Sequence, residues 1–269
     1  MKWLDKYKKS FVMGMQVSLE YRLSFILSMI STVFPIIIQV FLWKAIFHSA
    51  SNSTVYGYSY PQIIMYTIMA GLVAKLVSTG FEYEINGDIK NGGLNTYIVR
   101  PIDYFSYRLF RFIGEKILFL VLLLLISFIT LRILNVLLGL EIKFNNVLMF
   151  IFVLFLSIIL NFLLHFSIGI LAFWLTEVSR LFGTINIILI IISGGIFPLD
   201  IFGANIVKLI KLLPFAYTIQ FPINTLSGKL AQGEISQGII IQLLWTGLLV
   251  IISNTLWKKG LKKYVAVGG

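Results

Sequence analysis

Residues 117–138 read ILFLVLLLLISFITLRILNVLL, 22 consecutive positions with one charge, Arg132, toward the far end. At about 1.5 Å per residue a helix of this length crosses the roughly 30 Å hydrocarbon core of a bilayer. A barrel strand would be about ten residues of alternating polarity, and this run does not alternate. Because every backbone amide in lipid must be satisfied within its own segment or in a closed barrel, the run reads as a helix. Working outward, comparable apolar runs predict spans at 23–47, 60–80, 147–175, 182–197 and 238–256. The expected fold is an all-α integral membrane protein with six transmembrane helices and no separate soluble domain, residues 1–269 forming one unit. Composition agrees: 58% of residues are hydrophobic, 12% are charged, and the mean hydropathy is +0.93.

The net charge of +11 does not call for nucleic acid, since the basic residues lie at the ends of apolar runs, where they set orientation. Six spans put both termini on one side. Of the 22 Lys and Arg, 15 then share that side, including Lys2, Arg22, Lys90, Arg100, Arg108, Arg111, Lys116, Arg180 and Lys258, while six face the other and Lys75 lies within a span. The bias predicts cytoplasmic termini in a bacterial plasma membrane. The absence of cysteine excludes disulfides, thiolate metal sites and a cysteine nucleophile. Residues 1–22 are amphipathic and show no cleavable signal peptide. Trp3, Leu4, Tyr7, Phe11, Met15 and Leu19 recur at helical spacing, which predicts an N-terminal interfacial helix.

Two longer polar stretches remain. Residues 81–116, FEYEINGDIKNGGLNTYIVRPIDYFSYRLFRFIGEK, interrupt the apolar pattern on the terminal side. Glu82, Glu84 and Asp88 are read as an acidic helical face, ended by Gly87, Asn91, Gly92 and Gly93. Arg100-Pro101 fixes a bend back toward the membrane, and the aromatic residues from Tyr104 to Phe112 form an interfacial belt. On the other side, 198–237 follows a span of only about 16 residues, short for a crossing. There Gly194, Gly195 and Pro198 break the span, and Ile206 to Leu213 is again helical in pattern. It reads either as an outer re-entrant helix or as a helix lying on the outer interface.

The order of motifs resembles one family. Gly92-Gly93-Leu94-Asn95-Thr96-Tyr97-Ile98-Val99-Arg100-Pro101-Ile102 is similar to the G-x-L-x-x-x-L-x-R-P-[IV] signature of ABC-2 type permeases, the membrane subunits of bacterial ATP-binding-cassette exporters, with Ile98 where leucine is usual. Phe173-Trp174 with Glu177, the run from Ser193 to Leu199, and Pro214-Phe215 through Phe221-Pro222 to Gly228 follow the same pattern in order. The resemblance covers nearly the whole chain and is closest to the small six-span half-transporters with an ABC-2, or type V, exporter-like fold.

The resemblance implies a permease that moves an amphipathic or hydrophobic substrate such as a drug, an antimicrobial peptide or a lipid-like molecule. Its expected partners are two copies of an ABC ATPase subunit, a second copy of itself or a homologous permease, and membrane lipid. The chain would bind no cofactor; ATP and magnesium would sit on the ATPase, and this sequence has no G-x-x-x-x-G-K-[ST] loop. A short cytoplasmic coupling helix would receive the ATPase, with Glu82, Glu84, Asp88, Gly92, Gly93, Arg100, Pro101 and Glu177 as coupling residues. The acids read alternatively as a solvated loop, Arg100 as an anchor to phosphate or carbonyl groups, and Glu177 as a local cap able to pair with Arg180. Phe34, Gln39, Trp43 and Asn186 are the substrate-path candidates.

Other functions fit less well. Polar groups inside the apolar runs are few: Gln39, Lys75, Asn161, His165, Asn186 and small hydroxyls. Asn161 and His165, one turn apart, read as interhelical glue, and Lys75 as a snorkelling end group. No span pairs carboxylates, and no acid is placed mid-span, so catalytic residues, metal ligands, an intramembrane enzyme, a proton relay and an ion-coupled carrier are not expected. An ATPase-docked scaffold or importer coupling subunit is the alternative, though the paired Ala-Arg coupling motifs of the latter are absent.

Overall fold

The computed structural model describes residues 3–50, 53–140 and 142–264, of which most are helical, and the strands among them form one small hairpin pairing Thr54–Val55 with Tyr58–Ser59. The helices are α1 (Trp3–Glu20), α2 (Arg22–Ser49), α3 (Tyr60–Val77), α4 (Phe81–Lys90), α5 (Asn95–Ile98), α6 (Tyr104–Leu138), α7 (Phe144–Ile170), α8 (Val178–Ile192), α9 (Ala204–Lys211), α10 (Gln220–Leu226) and α11 (Gln232–Lys263). Five stretches, in α2, α3 with α4, α6, α7 and α11, are long and apolar enough to cross a membrane. The sixth expected span is α8, which has 15 residues and ends at Ile192, five residues earlier than its apolar pattern suggests.

Local sequence explains where the helices begin. Asp103 caps α6, its carboxylate accepting from the Ser106 amide at 2.8 Å, so helix starts at Tyr104 rather than at the apolar boundary near 117. With 35 residues α6 is about 52 Å long, more than a bilayer core requires, and its first turns extend beyond one end. The aromatic belt is therefore helix, and the interruption in the apolar pattern is shorter than 81–116. Similarly, Glu234 accepts from the Ala231 amide at 2.8 Å and starts α11 six residues ahead of the expected span.

The core centres on α7, which packs against α3, α4, α10 and α11. Phe162 and Phe166 lie at its middle, in ring contact with Phe81, Phe105 and Phe112 and with Tyr104 and Trp257. In lipid, helix association relies on close packing rather than on the hydrophobic effect, and small residues provide it. Phe221 fills a notch at Gly238 and Phe173 one at Gly260: a Cβ at either glycine would stand 2.1 or 2.2 Å from the ring. Two aromatic residues of the family-like pattern thus have packing roles.

The N-terminal helix differs from expectation. It packs along the protruding turns of α6 and buries Tyr7, Ser10 and Gly14, whereas Phe11 and Met15 are half-buried and Leu19 is exposed. Lys2 and the side chains of Trp3, Leu4 and Arg22 lie outside the described residues. Tyr264, just past α11, donates to Asn95 Oδ1 at 2.9 Å, and Lys6 on α1 donates to the Pro101 carbonyl. The N-terminal helix and the end of α11 thus reach the α5 region, from Asn95 to Pro101, at one end of the bundle.

At the other end α9 buries only Val207 and Ile210, while α10 is buried throughout, against α7 and α3. The element buried within the bundle is therefore 220–226, while 206–213, read as a re-entrant or interfacial helix, buries only one side. Gly194, at φ +81°, turns the chain beside Tyr66, whose hydroxyl donates to the Gly194 carbonyl at 2.6 Å. Asp200 gathers the neighbouring polar groups. Its Oδ2 accepts from Gln220 Nε2 at 3.0 Å and lies 2.9 Å from the Tyr58 hydroxyl, and Lys229 Nζ stands 3.0 Å from it over the Tyr58 ring.

Burial pushes Lys229 below the ordinary lysine range against the pull of Asp200, and pushes the Tyr58 hydroxyl up. Unfolding then takes up a proton at Lys229 between its lowered value and the unperturbed one of about 10.4, so its contribution makes stability rise with pH across that interval. Above about 10 Tyr58 opposes this, because unfolding releases its proton. Thermal midpoints measured against pH are expected to climb in the native protein up to about pH 10, where Tyr58 begins to oppose the rise, and to climb less in Lys229→Met. Superimposable profiles would rule out the buried lysine as the cause.

Candidate coupling site

The chain leaves α3 at Val77 and enters α4 at Phe81 through Ser78-Thr79-Gly80, a break that frees backbone carbonyls at the end of α3. Two side chains take them: Asn161 of α7 donates to the Val77 carbonyl and Lys116 of α6 to the Ser78 carbonyl. Both residues serve the same corner from different helices. Asn161 is therefore interhelical glue, as expected.

α4 is held on two sides by different chemistry. Glu84 and Asp88, one turn apart, both pair with Arg108 of α6, a side chain only 3% exposed. Tyr104 donates to Asp88 at 2.6 Å, and Arg108 also lies over the Tyr104 ring at 5.2 Å. Arg111 adds a 3.5 Å contact to Glu84 and a 3.1 Å pair with Glu115. Arg108 carries most of this arrangement, and the sequence reading placed it only in the interfacial belt.

Glu82 does not share that face. Two residues along a helix is a rotation of about 200°, so Glu82 points the opposite way from Glu84, into the bundle. It is 0% exposed, and it accepts from Thr79 Oγ1 at 2.8 Å and from Asn186 Nδ2 of α8 at 3.1 Å. Asn186 Oδ1 in turn lies 3.2 Å from His165 Nε2 of α7, and His165 Nδ1 lies 2.9 Å from the Asn161 carbonyl. Glu82, read from the sequence as part of the acidic face of the polar segment, belongs here instead to a chain of three residues that ties α4 to α7 and α8. A cavity of about 160 Å³ opens beside it, lined by Thr79, Asn161, His165, Asn186, Ser193 and Thr218 among others.

The apolar face of α4, Phe81, Ile85 and Ile89, is buried, with Ile85 and the Glu82 backbone set against Gly169 of α7. Gly92, at φ +76°, ends the helix, and Gly93 lies against Asp88, where a Cβ would come 2.9 Å from its Oδ1. Beyond them Ile98, Val99, Arg100 and Pro101 form an exposed tip, Val99 being 82% exposed. Glu177 and Arg180 pair with each other at 3.1 Å and are also exposed. Tyr83 meets Phe182 edge to face at 5.0 Å, which sets the Glu177 turn beside α4.

The substrate-path candidates are not gathered into one lining. Phe34 is exposed and Gln39 half-buried on α2, Trp43 is buried in the core cluster, and Asn186 belongs to the Glu82 chain.

Long apolar helices around a polar segment braced by ion pairs and hydrogen bonds at one end define a multi-pass membrane protein. Residues 23–268 match the family described as ABC-2 family transporter protein, and the chain belongs to it. No curated protein and no solved structure matches the chain. The family is one of transporter membrane subunits that lack a nucleotide-binding domain of their own and associate with an ABC ATPase.

Proposed function

We propose that this chain is the permease of an ABC exporter, with α8 as its sixth span, cytoplasmic termini and a place in a bacterial plasma membrane. Two such permeases, identical or homologous, pair with two ATPase subunits, and the substrate is amphipathic or hydrophobic. The observation that carries this reading is the platform of α4 and α5. An exposed tip with apolar and basic side chains stands on a segment clamped to α6 through Arg108 and to α7 and α8 through Glu82. A force applied to the tip is passed to three helices with little slack, which is what an external motor requires. The basic bias of that end supports its cytoplasmic placement.

In this reading Ile98, Val99 and Arg100, with Tyr83 and Glu177 alongside, touch the ATPase, and Gly92, Gly93 and Pro101 shape the tip. Glu82, Glu84 and Asp88 act as its internal braces. Val99→Asp is expected to lower co-purification with the cognate ATPase by about tenfold or more, equivalent to roughly 1.4 kcal/mol, without changing the thermal midpoint of the isolated permease. Arg100→Ala is expected to lower permease-stimulated ATP turnover. Assembly and turnover equal to the native protein in both variants would remove the docking assignment. Nucleotide-dependent uptake of substrate into inside-out vesicles tests the export direction.

A further inference from the structure

The Glu82, Asn186 and His165 chain contains one hydrogen too few if its groups are in their ordinary neutral-pH forms. The Asn161 carbonyl can only accept, so His165 Nδ1 carries a hydrogen. A neutral imidazole then has a bare Nε2, and an ionised Glu82 has only lone pairs. Asn186 stands between them with one donor end and one acceptor end. With its amide as placed, Nδ2 serves Glu82 and Oδ1 faces Nε2, so two acceptors oppose each other at 3.2 Å. Turning the amide over satisfies Nε2 and moves the same conflict to Glu82 Oε1. No orientation of Asn186 removes it; one added proton does.

We propose that these three residues form a binding site for one proton, shared along the amide. In one form His165 is an imidazolium and Glu82 a carboxylate, with Asn186 Oδ1 accepting from Nε2. In the other His165 is neutral, the amide is reversed, and a protonated Glu82 donates to Oδ1. Both forms have the same net charge and the same number of hydrogen bonds. Losing the proton leaves a repulsive contact between α8 and either α4 or α7, so the tie that fixes the root of the platform depends on protonation. The cavity beside it has room for several waters, each occupying about 30 Å³ in the liquid.

The charged groups bearing on the site are few. Glu82 comes from α4 and Lys116 from α6, while Lys75 on α3 and Glu115 on α6 act on Lys116 in turn. α8 presents neutral Asn186, and neither α10 nor the stretch of α11 from Ile235 to Trp257 contains an ionisable residue. No second acid competes with Glu82 for the proton.

The chain has two histidines, so His48→Gln leaves His165 as the single imidazole. Full-length His48→Gln protein, labelled with ¹⁵N-histidine in lipid nanodiscs, is titrated across the unperturbed histidine value of about 6.5. Nitrogen shifts report the imidazole form, and the infrared carbonyl band lost in Glu82→Gln reports a protonated carboxyl. The expected result at the acid end is either an imidazolium without the carboxyl band or a neutral Nδ1–H ring with it, and one proton is released in a single step as pH rises. Glu82→Gln brings the missing donor as an amide hydrogen, so its His165 is expected to be a neutral Nδ1–H ring throughout. Asn186→Leu cuts the chain and is expected to give two separate titrations. A neutral His165 with an ionised Glu82 across the whole range overturns the proposal, whether or not the variants fold. So does a Glu82→Gln protein whose imidazole titrates as before.

Discussion

Arg108→Met is expected to loosen the platform more than any other single change in the polar segment. The guanidinium is buried and serves two carboxylates at once, so its loss leaves Asp88, itself largely buried, without a cation. Breaking a buried ion pair from one side costs about 3–5 kcal/mol, whereas exposed pairs are worth 1 or less. Glu84 is about half exposed and stays solvated, which places the expected loss near the lower end, about 3 kcal/mol. The contact over the Tyr104 ring is lost with it. The measurement is a thermal midpoint combined with limited proteolysis between residues 91 and 103, where faster cutting is expected. Asp88→Asn combined with Arg108→Met is expected to recover most of the loss, because the uncompensated charge and not the missing contact dominates. Arg108→Lys is expected to fall between, since an ammonium cannot bridge both carboxylates as a planar fork does. If Arg108→Met is as stable and as protease-resistant as the native chain, the clamp on α4 is not ionic.

Much of this architecture was legible in the residues. Runs such as 117–138 are too long and too apolar for anything but a helix in lipid, and the G-x-L-x-x-x-L-x-R-P-like signature pointed to the family that residues 23–268 match. The departures have physical reasons. α6 starts 13 residues before its apolar run because Asp103 caps a polar, aromatic stretch that hydropathy does not register as helix. The inserted element at the far end is 220–226 because Gln220 satisfies the Leu199 amide at 2.6 Å and Asp200, contacts invisible in a pattern of apolar residues. Glu82 reads with Glu84 and Asp88 as one acidic helical face, although a spacing of two already sets it on another face. Its partners Asn186 and His165 lie about a hundred residues away, beyond anything spacing can show. On α1 the large apolar residues set the expected face, yet the buried line is Tyr7, Ser10 and Gly14, continued by half-buried Ser18, so small residues four apart carry most of it, the pattern by which helices approach closely.

That line makes the second large prediction. Gly14 and Gly114 face each other where α1 crosses α6: a Cβ on Gly14 would stand 2.1 Å from the Arg111 carbonyl oxygen, and one on Gly114 would stand 2.1 Å from that of Phe11. Both obstacles are backbone, so no rotamer change relieves them, and the helices must separate. Two effects oppose each other in Gly114→Ala. Alanine favours helix over glycine by about 1 kcal/mol, and overpacking at a tight contact costs about 1–3 kcal/mol. Separation wins here, because it also disrupts the Tyr7–Phe110 stack at 5.3 Å and the Ser18 hydroxyl bond to the Glu115 carbonyl at 2.6 Å. A lowered thermal midpoint and early proteolytic release of α1 are expected, both more pronounced in Gly114→Leu. The double variant Gly14→Ala with Gly114→Ala is expected to lose less than the sum of the singles, since one displacement of α1 relieves both clashes. Gly247→Ala on α11, where nothing lies within 4 Å of the added carbon, is the matched control and is expected to gain up to about 1 kcal/mol. Were Gly114→Ala to gain stability as Gly247→Ala does, α1 would not be seated on α6 through these glycines. Because α1 also reaches the Pro101 carbonyl through Lys6, its displacement is expected to free the tip as well, so Gly114→Ala should lower ATPase co-purification although Gly114 lies outside the docking tip.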